Sequence, residues 1–220
     1  MTGLIALTVV NYATERLEGW TLKVDRAVFS AENRAAWQEA RRELHAQLIA
    51  ITRAVREPRL GQLRRITVWV HNKGPWTQCM AYHPSAEWLR ENGLNPDMAK
   101  GIEIGDIRTF DAWTRDQPWM VLHELAHGFH DRFLQEGFGN PAVAYAFRQA
   151  QEGSRYERVL RISGRTERHY ALTNPMEYFA EATEAYFGRN DFFPFVRPEL
   201  AQFDPAGYRL MQEVWGPPAS

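Results

Sequence analysis

Apolar residues recur along this chain at two periods. Trp37, Ala40, Leu44, Leu48, Ile51 and Val55 fall three and four apart, the spacing of a helix that buries one face. With Ser30 as N-cap, it predicts a long helix over 31–55 that stops at Pro58 and Gly61. Arg41, Arg42, Glu43 and Arg53 lie mainly on the solvated remainder. Trp20, Leu22 and Val24 instead alternate with Thr21 and Lys23, the period of a half-buried strand. Further strands are expected over 3–12, 66–70, 79–82 and 100–104. A short helix follows Ser85, and segment 106–116 leads into a helix over 117–132. More helices are predicted over 141–151, from Asn174-Pro175 to about Phe187, and from Asp204-Pro205 to about Trp215. Segments 71–84, 152–168 and 190–198 read as loops or irregular hairpins. This order predicts an α+β fold, with a small mixed sheet, the 31–55 helix against it, and two helices beneath a cleft.

Composition narrows the class. A length of 220 residues suits one domain over 1–220, or one with an N-terminal extension over 1–19. Hydrophobic residues make up 45% and charged residues 24%, enough for an ordinary core. The net charge is −1 with no single-sign block, so no nucleic-acid partner is expected. No apolar run reaches the length of a membrane span. Residues 4–10 are too short, and lack a preceding basic residue, for a signal peptide, which leaves localisation open. Cys79 is the single cysteine, so no intrachain disulfide is expected.

The chemistry concentrates in the 117–132 helix. It carries His123-Glu124-Leu125-Ala126-His127, an HExxH. Two histidines four apart project from one helix face, where a single Zn2+ can take both, while Glu124 reaches a water beside the metal without ligating it. Met120, Val121, Leu122, Leu125, Ala126 and Phe129 make the helix largely apolar, and buried imidazoles need partners. Catalytic zinc sites use three protein ligands. A third histidine at HExxHxxGxxH spacing is excluded, because those positions hold His130 and Phe133. His130 lies about 10 Å from His123 along a straight helix, so it is expected to support the site or pack. The 175–187 helix supplies the alternative. Glu177, Glu181 and Glu184 share one face of a helix that is otherwise apolar. A cation would compensate such carboxylates. Glu177 is the expected third ligand, and Glu181 the expected acceptor of a histidine ring N–H. Glu184 reads as part of a solvated acidic stripe.

HELAH followed by YALTNPMEYFAEA resembles the gluzincin-type zincins, especially the anthrax lethal factor catalytic domain and the Pro-Pro endopeptidases. The resemblance covers roughly 118–130 and 170–187, with Tyr170 seven residues before Glu177. It implies a zincin-like fold, Zn2+ on His123, His127 and Glu177, and a Tyr170 hydroxyl that stabilises the oxyanion or helps the leaving group. The expected activity is a zinc metallopeptidase, endopeptidase rather than exopeptidase, acting on a peptide or protein with Glu124 as general base. Two alternatives stay open: a zinc hydrolase of the same fold with a non-peptide substrate, and a zinc-stabilised binding domain without turnover. An extended substrate would pair with 100–104 or 79–82. Trp113, Trp119 and the run from Phe192 to Phe195 are candidate subsite or core residues.

Overall fold

A computed structural model describes residues 11–73 and 79–219. In chain order, the elements that open the fold are β1 (Tyr12–Leu17), β2 (Trp20–Asp25), α1 (Arg34–Ala54), α2 (Arg59–Leu63) and β3 (Val68–Val70). Then come β4 (Met80–Tyr82), α3 (Ala86–Glu91), β5 (Ile102–Ile104), α4 (Phe110–Asp116) and α5 (Met120–Phe133). The remainder holds α6 (Pro141–Glu152), a hairpin of β6 (Val159–Leu160) and β7 (Thr166–Glu167), α7 (Pro175–Phe187), α8 (Arg197–Phe203) and α9 (Pro205–Trp215).

The main sheet is mixed, in the order β1-β2-β3-β5-β4. β1 and β2 form an antiparallel hairpin. Glu18 and Gly19 close it with φ of 49° and 92°, the positive values that a two-residue hairpin loop requires. β2, β3 and β5 run parallel, and β4 returns antiparallel at the end of the sheet. A parallel pair needs a crossover, and α1 lies in the connection from β2 to β3. Leu22, Val24, Val68, Val70, Ile102 and Ile104 share one core with Leu44, Leu48 and Ile51 of α1. Trp69 belongs to a second cluster with Leu89, Leu94 and Met98. β3 and β5 are therefore buried on both faces, as parallel strands usually are, while β2 alternates buried and half-buried residues.

On the second face Glu103 is buried between two histidines. His71 Nδ1 and His83 Nε2 each lie 2.7 Å from one of its oxygens, and the Tyr12 hydroxyl is 2.6 Å from His71 Nε2. Burial pushes the carboxyl pKa up, but the two histidines outweigh it and hold it at about 2. A carboxyl depressed in the folded state contributes stability that is present above its unfolded value, about 4.3. That contribution is lost as pH falls through the folded value. Glu103→Gln is therefore expected to flatten the fall in stability between about pH 4.3 and pH 2, measured as denaturant midpoints. Parallel pH profiles for variant and parent would remove this role.

Close packing sets the position of α5 and α7. α5 lies against β4 and α7. A Cβ on Gly128 would stand 2.7 Å from Ile66 Cδ1 and 3.1 Å from the Tyr82 ring, so glycine lets the edge strand approach the helix. A Cβ on Gly188, just past α7, would stand 1.9 Å from the Trp119 indole. Trp119 is also the residue that opens α5, so one end of each helix is keyed to the other.

Several elements differ from expectation. The strand expected over 3–12 falls outside the described residues except at its end. β1 instead runs on through Thr14, Glu15 and Arg16, whose polar character suits an exposed outer strand. α1 starts at Arg34, not at 31. Ser30 ends a preceding 3-10 turn, Arg26–Phe29, and the Asn33 side chain is held by Arg108 and by the Ala27 carbonyl. Pro118 precedes α5 rather than entering its first turn, because Gln117 closes α4. α2, α4 and α8 are seven residues or fewer, too short for periodicity to reveal. Of the two strands expected to pair with a substrate, β5 is interior and β4 is the last in the sheet among the described residues. Among the described residues no helix is long and apolar enough to cross a membrane.

Candidate metal centre and active site

α5 and α7 bring three ligand atoms together. His123 Nε2 and His127 Nε2 are 3.1 Å apart. Glu177 Oε2 lies 3.1 Å from the first and 3.2 Å from the second. Tetrahedral zinc with bonds near 2.0–2.1 Å spaces its ligand atoms about 3.3 Å apart, so this triangle fits one face of such a site. The donor set, two imidazoles and a carboxylate, is one that zinc takes. Glu177 is aimed by its own helix start. The Asn174 side chain accepts from the backbone N–H groups of Met176 and Glu177, both at 2.9 Å, with Pro175 in the first turn.

The second nitrogen of His123 fixes its state. Nδ1 lies 2.7 Å from Glu184 Oε1; in a neutral ring with its proton on Nδ1, that bond would turn the Nε2 lone pair toward His127 and Glu177. This partner was expected to be Glu181. Glu181 Oε1 stands 3.7 Å away, beyond a hydrogen bond. Glu184, expected on a solvated stripe, is fully buried. One turn of helix separates the two readings: Glu184 points between α5 and α7, where the ring is. Loss of an outer partner of this kind typically costs 10–100-fold in metal affinity. Glu184→Ala is therefore expected to weaken zinc binding by about that factor. A titration with a competing chelator checks it, and unchanged affinity would reduce Glu184 to packing.

Charge in this cluster is strongly coupled. Burial favours a neutral His123, but hydrogen bonds to Glu177 and Glu184 prevail and raise its pKa well above the usual value. Glu177, despite burial, is held well below the carboxylate range by His123 and His127. Glu181 has no hydrogen-bond partner for either oxygen among the described residues. Burial and the nearby Glu184 raise its pKa well above normal. His130 is also fully buried, with neither ring nitrogen hydrogen-bonded among the described residues. Its ring sits between Phe138 and Phe179, and burial lowers its pKa to about 4. It packs behind the site as a neutral ring.

The three ligand atoms open onto a cleft of about 600 Å³. Glu124, partly buried, lines it beside the two histidines. Residues 79–82 form one part of the lining, and Arg161, Tyr170 and Phe192 another. Tyr170 begins a 3-10 turn, Tyr170–Leu172, for which the His169 ring nitrogen accepts the Ala171 N–H at 3.0 Å. His169 itself is buried against Phe192, with its pKa lowered to about 3 by burial. Burial and the negative Glu177 raise the Tyr170 phenol, so its O–H stays available to donate. Trp113 lines the cleft, whereas Trp119 packs against the core. Phe193 packs on Phe195 and Phe203 instead. Sequence reasoning missed Glu184 and Arg161. The i+7 spacing from Glu177 was a usable signal for the first; Arg161, one of several arginines in a polar stretch, carried none.

The fold and site together define a mixed α+β chain with a cleft over a two-histidine, one-carboxylate cluster. No protein-family model matches the sequence, and no curated protein matches it. Among solved structures, the chain is similar to the Pro-Pro endopeptidase PPEP-2 from Paenibacillus alvei. That similarity spans 79% of this chain and 89% of the other, at 19% identity and a TM-score of 0.45.

Proposed function

We propose that this chain is a zinc metallopeptidase that cuts within peptide or protein chains. The observation that carries the reading is the convergence of His123 Nε2, His127 Nε2 and Glu177 Oε2 within 3.1–3.2 Å in a cleft that also exposes Glu124 and Tyr170. His123, His127 and Glu177 hold the ion, and Glu184 fixes the His123 tautomer. Bound zinc supplies Lewis acidity toward water and toward a peptide carbonyl. Glu124, one residue round the helix from His123, accepts the proton of the attacking water and delivers it to the leaving amine. Tyr170 donates its O–H to the developing oxyanion. β4, the sheet's last strand among the described residues, lines the cleft, so an extended substrate would lie alongside it.

Zinc-loaded protein is expected to cut members of a mixed peptide library. A chelator should stop cleavage, and returned zinc should restore it. Folded, zinc-loaded protein that leaves every peptide intact would overturn the reading.

A further inference from the structure

The wall of the cleft that holds Tyr170 contains a cation the mechanism does not use. Among the described residues that line the cleft, Arg161 is the one lysine or arginine. Its position is built from backbone: it bridges to Phe192, Ile162 N–H donates to the Asp191 carbonyl at 2.8 Å, and Phe193 N–H to the Leu160 carbonyl at 2.8 Å. Its guanidinium is then fixed from two sides. Nε and Nη2 reach Asp191 Oδ2 at 3.0 and 2.9 Å, and the group stands 5.0 Å over the Phe192 ring.

This arrangement occupies the Nε–Nη2 edge. Nη1 has Glu167 Oε1 at 3.5 Å, too far for a strong hydrogen bond. The side chain keeps 25% of its surface exposed while Asp191 has none. A substrate that covers the cleft removes water from the exposed part of this fixed cation, whose Nη1 has only the longer ion pair to Glu167 among the described residues, and desolvating a charged group is costly. A carboxylate replaces that water best, because a charge-assisted bond to a preorganised guanidinium is roughly twice as strong as a neutral one. We infer that Arg161 is a specificity-determining residue that binds an acidic side chain of the peptide substrate near the scissile bond. The substrate class rests on the peptidase reading; the anion preference rests on Arg161 alone.

The test compares matched peptides that differ only as Asp against Asn or Glu against Gln. Binding is measured on zinc-loaded Glu124→Gln protein and cleavage on the parent. The acidic member is expected to bind about tenfold more tightly. Arg161→Gln alone would strand the buried Asp191, so the informative variant is Arg161→Gln with Asp191→Asn. It should lose the acid preference, so that acid and amide members bind equally, while its zinc content matches that of the parent. Arg161→Lys, which keeps charge without the planar fork, should retain a weaker preference. Equal binding of acid and amide members by the parent protein overturns the inference, as does a preference that survives the double variant. Acid-selective binding without any cleavage would leave Arg161 as assigned and remove the peptidase reading. No peptide binding at all would remove both.

Discussion

Glu177→Ala is expected to release zinc from the protein and abolish hydrolysis. The two remaining histidines offer nitrogens 3.1 Å apart on one helix, and the carboxylate that closes the triangle is gone. Catalytic zinc sites keep three protein ligands, and even an outer partner is worth 10–100-fold in affinity. Loss of a ligand should exceed that, so protein purified without added metal should carry almost none. Metal content by mass spectrometry, beside a circular dichroism spectrum that confirms the fold, checks it. One zinc per chain retained in the variant would place the third ligand elsewhere and dismantle the site as drawn.

Glu124→Gln should separate binding from chemistry. Glutamine preserves size and hydrogen bonding but cannot accept the proton from water at neutral pH. Zinc should remain at one per chain, since Glu124 is no part of the ligand triangle. Turnover should fall by about 10²–10⁴, the range general-base catalysis contributes. Turnover near the parent's, on a peptide the parent cleaves, would take the base role from Glu124 and leave the metal site standing.

The placement of Glu124 and Glu177 beside the two histidines was legible in the sequence because the spacing that sets it is local. HELAH sets its spacing by helix geometry alone, and Glu177 follows a strong start signal, Asn174-Pro175, on a helix of apolar neighbours. The α+β arrangement and the stripe of α1 were legible for the same reason. What failed depended on tertiary context. Glu184 looked solvated because carboxylates usually are, yet a histidine from another helix buries it. β1 was hidden by Thr14, Glu15 and Arg16, which its exposed position tolerates. Arg161 owes its place to a bridge with Phe192, thirty-one residues away in the chain, and no local pattern encodes that pairing.

The C-terminal helix has a consequence in the order of synthesis. Asp204 accepts from the hydroxyls of Tyr156 and Tyr178 and from the Gly207 N–H at the start of α9. Trp215 Nε1 donates to Thr183 Oγ1, and the Tyr186 hydroxyl to the Gly216 carbonyl. These bonds brace α7 along its length. On a ribosome the two histidines emerge fifty residues before Glu177, counting from His127, and Trp215 follows thirty-eight residues after that. The nascent chain therefore presents an incomplete pair of imidazoles first, gains its carboxylate later, and locks that carboxylate's helix last. Under the metallopeptidase reading, a cation site on these three side chains is braced only once Trp215 has been made, so a copy that stops before α9 lacks the bonds that hold α7.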